Sequence, residues 1–221
     1  MTDQEHNFPE LPSVIPVFPL SGVMLLPGAS LPLNIFEPRY LKMVRDAESG
    51  HKLIGMIQPR HKDDDSKKPE LFDVGCVGMI SELKETGDGR FLIRLKGISR
   101  FEVEEELSVT TPYRQVRANW APFADDPWGG GKTTTVEREE LFTSLKAFLD
   151  LKGLDADFSA IAEAPDDILV NTLSMIVPFS AAEKQALLEA ETVYMRSALL
   201  RNLLTMAATS SMRGDGPSAA H

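Results

Sequence analysis

Cysteine is almost missing. Cys76 is the single one among 221 residues, so no disulfide can close within the chain. That excludes a disulfide-stapled scaffold and fits a reducing compartment. Histidine is scarce as well. The four are His6, His51, His61 and His221, and none stands at H-x-x-x-H or Cys–His ligand spacing, so no metal site is predicted. No hydrophobic run approaches the roughly 20 residues that span a bilayer. The opening segment MTDQEHNFPELP lacks the basic start and apolar stretch of a signal peptide. Base is in short supply, with 23 Lys and Arg against 33 Asp and Glu, a net charge of −10. Nucleic-acid binding draws on phosphate neutralisation, so this balance disfavours DNA or RNA as the main partner. These absences together predict a cytoplasmic protein without a membrane span.

What is present is enough for a core. Hydrophobic residues make up 43% and charged residues 25%, the balance of a globular protein with one domain or two small ones. The texture changes near residue 122. Before it, short apolar runs such as Val14–Phe18, Leu53–Ile57 and Phe91–Leu95 are broken by Pro and Gly, and read as strands. Gly87-Asp88-Gly89 reads as a hairpin loop. Arg100-Phe101-Glu102-Val103-Glu104 alternates as a half-buried strand. One helix interrupts this region, with Pro38 at its first position and Gly50 placed to close it in a left-handed conformation.

After the Pro- and Gly-rich stretch 122–135, the pattern is helical. Thr134–Glu137 and Ser180–Glu183 both have capping-box spacing. Leu141, Leu145, Phe148 and Leu149 share one face, and Gly153 is a predicted stop. Ile168, Leu169, Thr172, Leu173 and Ile176 are the predicted inner face of the next helix. A long stretch through Leu187, Leu188, Met195, Leu199, Leu203 and Leu204 follows, with a break near Ala190. Charge divides unevenly, with net −3 over residues 1–121 and net −7 over 122–221.

Catalytic motifs are wanting. Gly129-Gly130-Gly131-Lys132-Thr133 ends like a phosphate-binding loop, but the first glycine of G-x-x-x-x-G-K-[ST] is replaced by Asp126, whose carboxylate would repel phosphate. A glycine hinge is the better reading. There is no G-x-S-x-G elbow, and Cys76 sits in an apolar strand as a buried, inert thiol. No catalytic residue and no cofactor are predicted. The densest segment is Leu33–Tyr40. In an architectural reading Glu37 caps the helix, Arg39 pairs with a carboxylate or carbonyl, and the aromatics fill the barrel mouth. In a functional reading Phe36, Arg39, Tyr40 and Met43 grip extended apolar peptide.

Several segments then fall into a recognisable order. They are Ile15-Pro16-Val17-Phe18-Pro19-Leu20, Leu31 to Tyr40, Val74-Gly75-Cys76-Val77-Gly78-Met79-Ile80, Asp88-Gly89-Arg90 with Lys96 to Phe101, Pro112-Tyr113, and Glu183-Lys184-Gln185-Ala186-Leu187-Leu188-Glu189. As an ordered set spanning roughly residues 12–208, they resemble the N-terminal substrate-binding domain of the Lon protease family. The resemblance implies an α+β fold: a PUA-like β pseudobarrel with one inserted helix, then a C-terminal helical bundle. The expected boundaries are a disordered N-terminus 1–12, a barrel 13–121, a linker 122–135, a helical part 136–209 and a disordered tail 210–221. Full-length Lon continues into an ATPase module and a Ser–Lys peptidase, so the expectation is a stand-alone, non-enzymatic binding protein. Its partners would be unfolded or damaged proteins, or a protease or chaperone on which it docks. The alternative is a PUA-like nucleic-acid binder using Arg90, Arg94, Lys96 and Arg100. The oligomeric state is open.

Overall fold

Alternation of apolar and polar residues sustains one 16-residue strand, β5 (Phe91–Glu106), where the sequence predicts two shorter ones. Gly97 lies at their junction, where any Cβ would strike the Leu26 carbonyl. The computed structural model describes residues 11–61, 68–126, 136–154 and 163–214. The chain divides into two compact units, Met1–Gly131 and Lys132–His221.

The first unit holds β1 (Val14–Pro19), β2 (Ser30–Ile35), α1 (Pro38–Glu48), β3 (Leu53–Ile57), β4 (Val74–Glu85), β5 and β6 (Arg114–Asn119). The sheet order is β2-β5-β4-β3-β1-β6, and β5 also pairs with β6. Strands β1, β3, β4, β5 and β6 therefore close into a barrel, while β2 lies outside the ring along the first part of β5. β1 and β3 are parallel, and a parallel pair needs a crossover; the segment carrying β2 and α1 supplies it. This is the pseudobarrel with an inserted helix that the sequence implies.

The barrel core gathers Ile15, Val17, Leu53, Val77, Phe101 and Val116. Phe101 meets Trp120 edge-on, with ring centroids 5.9 Å apart. Gly75 stands opposite Phe101, and a Cβ there would lie 2.5 Å from the ring. The glycine is thus required by close approach, and Cys76 beside it is buried.

β2 is an edge strand with proline inside it. The Gly97 N–H donates to the Ala29 carbonyl at 2.9 Å. Antiparallel alternation then turns the backbone of Leu31, Leu33 and Ile35 toward β5 and that of Ser30, Pro32 and Asn34 outward. Pro32 sits where its missing N–H breaks no ladder bond.

The start of the predicted linker is pinned to the barrel. Ala121–Phe123 forms a 3-10 turn, and the Asp126 carboxylate accepts from Arg100 N, Nε and Nη2 at 2.9, 2.8 and 2.9 Å. The Arg100 guanidinium also lies over Phe123, 4.4 Å from the ring centroid. Arg100 and Asp126 are both buried. Arg100 therefore does not belong to an exposed basic stripe, and Asp126 has a structural use. Residues 129–133 lie outside the described residues. At the N-terminal boundary, Trp120 Nε1 donates to the Pro12 carbonyl at 3.2 Å, so Pro12, expected in a disordered terminus, is held.

The second unit contains α2 (Arg138–Lys152), α3 (Asp166–Ile176), α4 (Ala181–Glu189) and α5 (Val193–Gly214). Gly153 closes α2 at φ 62°, and the chain breaks around Ala190 as predicted. The capping box at Ser180 and Glu183 forms. Of the box predicted at Thr134–Glu137, Thr134 lies outside the described residues; α2 starts after Glu137, whose own side chain makes no cap bond. Instead the Val136 amide donates to Asp166, and Arg138 pairs with Asp166. α5 runs on to Gly214, past the predicted start of the tail at 210.

The helix faces are rotated from those predicted. On α3 the buried residues are Leu169, Val170, Asn171, Leu173 and Ser174, while Ile176 is exposed. On α5 they are Arg196, Ser197, Leu200 and Leu204, while Met195 is exposed. The cause is a buried guanidinium. Arg196 donates to the Leu187 carbonyl at 2.8 Å, to Asn171 Oδ1 at 2.8 Å and to the Ala190 carbonyl at 3.2 Å, which draws the polar edges of α3 and α5 inward.

Asp126→Ala leaves a buried Arg100 without its carboxylate, and the expected loss is about 3–5 kcal/mol in urea denaturation. The double variant Arg100→Met with Asp126→Leu is expected to recover much of it; a single-variant loss well below that range would show the pair to be dispensable.

Candidate functional site

The corner between β2 and α1 is built by a change of backbone direction. Ile35 ends β2 in the core, and Phe36 then turns out with 60% of its surface exposed. Glu37 is extended, at φ −68° and ψ 133°, and Pro38 opens α1. The Glu37 carbonyl accepts from Tyr40 N and Leu41 N, each at 2.9 Å. Its side chain does not cap the helix as expected. It accepts from Arg39 Nε at 2.9 Å instead, so the predicted carboxylate partner of Arg39 is Glu37.

Tyr40 and Met43 point the other way. Tyr40 packs on Phe18 with ring centroids 4.1 Å apart, and the Arg39 guanidinium covers its ring at 4.5 Å. Burial pushes the Tyr40 hydroxyl pKa upward. Met43 is wholly buried. Of the four residues predicted to touch peptide, Phe36 and Arg39 therefore reach the surface, and Tyr40 and Met43 hold α1 to the barrel. Tyr113, just before β6, adds a tie: its hydroxyl donates to Asp46 Oδ2 at 2.8 Å. Hydrogen bonds from Lys42 and Tyr113 hold the Asp46 carboxyl below its ordinary pKa. Burial and the Asp46 bond push Tyr113 up to about 12. The turn after α1 takes its positive φ at Lys52, 59°, and not at Gly50.

Beside the corner lies the outer face of β2, β5 and β4. Phe91, Ile93 and Leu95 of β5 point inward, and Leu92, Arg94 and Lys96 point outward. Cross-strand rows set Asn34, Leu92 and Lys84 together, then Pro32, Arg94 and Glu82. Leu92 is 44% exposed. The Arg90 guanidinium sits 5.9 Å from the Phe36 ring centroid. So the two sets predicted separately, one for peptide and one for nucleic acid, meet on one face through Phe36 and Arg90. Arg90 pairs with Asp88 at 3.0 Å and Arg94 with Glu82 at 3.1 Å. Sequence reasoning missed Leu92 and Lys84. The signal was there, since Leu92 is a large apolar residue in the polar phase of an alternating strand. Among the described residues, no group of three or more His, Cys, Asp or Glu is placed to hold a metal ion, and no helix is long and apolar enough to cross a membrane.

The family described as the ATP-dependent protease La (LON) substrate-binding domain matches residues 14–206. The chain belongs to the Lon substrate-binding domain family. A Lon protease from Flavobacterium johnsoniae is 26% identical over 189 residues, covering 84% of this chain and 23% of that protein. Lon protease 2 from Myxococcus xanthus is 28% identical over 208 residues, covering 90% of this chain and 24% of that protein. The chain thus spans about a quarter of the length of these curated relatives. Two solved structures share the fold. The Lon N-terminal domain protein from Xanthomonas campestris superposes with a TM-score of 0.57 at 23% identity, covering 86% of this chain and 96% of that one. The N-terminal domain of Lon protease from the Mycobacterium avium complex gives 0.61 at 15% identity, with 87% and 98% covered.

The segments that carry the Lon resemblance are largely architectural. In Glu183–Glu189, Glu183 closes the capping box, Lys184 Nζ donates to the Met175 carbonyl at 3.0 Å, Gln185 donates to Glu189 at 2.8 Å, and Leu187 and Leu188 are buried. In the corner segment, Tyr40 is core and Phe36 is surface. Phe36 is the large hydrophobic side chain of these segments that is exposed among the described residues.

Replacing Phe36 by Ala is expected to change stability by no more than about 0.5 kcal/mol, as for exposed sites, whereas Tyr40→Ala and Met43→Ala each cost about 2–5 kcal/mol by denaturant titration. Equal losses at all three would mean the corner is not oriented as described. Tyr113 keeps its proton in the folded state above the usual 10, up to about 12, so the stability this hydroxyl contributes is level below pH 10 and is lost as pH rises toward 12. Tyr113→Phe is expected to flatten that alkaline loss relative to the parent.

Proposed function

We propose that this chain recognises exposed apolar segments of non-native proteins and holds them without cutting them. The observation that carries the reading is Phe36, a large aromatic presented at 60% exposure at a corner whose other aromatics are buried. Fully burying such a side chain yields about 1.5–3 kcal/mol, which a partner can recover and solvent cannot. Leu92 extends the apolar area, and the Arg39 and Arg90 guanidiniums flank it, the combination that dominates protein contact surfaces. Membership of a substrate-binding family supports the same reading. Pro32 at the outer edge of β2 disfavours strand addition, so the grip is made by side chains. The nucleic-acid alternative loses support: Arg100 is buried, and Arg90 and Arg94 are neutralised by neighbouring acids.

The test is fluorescence anisotropy with a labelled, reduced and alkylated model protein. Phe36→Ala is expected to weaken binding about tenfold or more, from the lost burial, while Met206→Ala, at an exposed methionine of α5, leaves it unchanged. A folded Phe36→Ala variant that binds like the parent removes this face from the proposal.

A further inference from the structure

The face around Phe36 and Leu92 differs in charge from the chain that carries it. The whole chain is net −10, yet Lys84, Arg90, Arg94 and Lys96 surround these two apolar residues against the acids Glu82 and Asp88. Both acids are already engaged, by Arg94 and Arg90. The two lysines are not. Lys96 has Ser30 and Met79 as its cross-strand neighbours, and Lys84 has Leu92; neither makes an ion pair among the described residues. This leaves two uncompensated cations on the face, one directly beside Leu92 and one four residues along the same strand.

We infer that the segments bound here carry acidic residues beside their apolar ones. This rests on the reading of Phe36 as the apolar contact and adds the flanking chemistry. A strand rises about 3.3 Å per residue, so Leu92 and Lys96 are separated by about 13 Å along β5. An extended peptide has the same rise. When it seats a large apolar side chain on Leu92 and Phe36, an Asp or Glu four positions away falls beside Lys96, and an acid next to the apolar residue meets Lys84. A long polyanion gains from the same lysines and a base could stack on Phe36, but it makes no use of Leu92, finds Arg90 and Arg94 already paired with acids, and, with more charge than a short peptide, meets more of the repulsion of the net negative chain. The chemistry therefore favours a short acidic and apolar peptide over nucleic acid.

Three labelled peptides of equal length test this, each with one Phe-Leu pair flanked by Asp, by Ser or by Lys, together with a labelled single-stranded RNA. By anisotropy at low ionic strength, the Asp-flanked peptide is expected to bind about fivefold tighter than the Ser-flanked one, the size of a few exposed charge contacts. The gap should close at about 1 M salt, where the Debye length is about 3 Å. Lys84→Glu with Lys96→Glu should invert the order of the Asp and Lys peptides and leave the Ser peptide unaffected. Equal binding of all three peptides overturns the acidic preference and leaves apolar recognition standing. Binding of none overturns both. RNA binding that exceeds the Asp peptide and is lost in the lysine variant overturns the inference in favour of a polyanion.

Discussion

The continuity of β5 is the constraint on which the first unit depends. One strand pairs with β4 along much of its length, with β2 at its beginning and with β6 at its end. Its second part closes the barrel, and its first part carries β2, which delivers the chain to the Phe36 corner. A break near Gly97 would separate these tasks. Gly97, packed under the Leu26 carbonyl, and Gly75 of β4, packed against Phe101, let the chains approach where a side chain would push them apart, and β5 passes this point with a register shift against β4. Arg100 and Asp126 then lock the segment leaving the barrel to the middle of that same strand.

Strands, hairpin, the Gly153 stop and the Ser180 cap were legible in the sequence because each depends on local chemistry: alternation, turn glycines and near-neighbour hydrogen bonds. The helix faces were not. Hydropathy places every Arg and Lys outside, and here Arg196 and Lys184 lie within. Each donates to carbonyls at or beyond a helix C-terminus, Arg196 to Leu187 and Ala190, and Lys184 to Met175. The unpaired carbonyls and the negative end of the helix dipole compensate the desolvation. Such partners are brought close by the fold, and no pattern within either helix announces them.

The candidate site was half legible for a related reason. Phe36 and Tyr40 are four residues apart and chemically alike, yet one precedes the helix and the other is on its inner face. Which aromatic faces water follows from the turn at Glu37, and that turn is set by Pro38. Leu92 could have been found from alternation alone. Its neighbourhood with Phe36 could not, since that follows from the register of β2 on β5, where Ile35 lies opposite Phe91.

The proline in β2 has a consequence for solubility. A protein that meets sticky, denatured chains all day risks being recruited into their growing cross-β stacks through any open sheet margin. An imino acid in the middle of that margin interrupts the hydrogen-bond template, so under the proposed function contact with such chains stays reversible and the binder is not consumed by them.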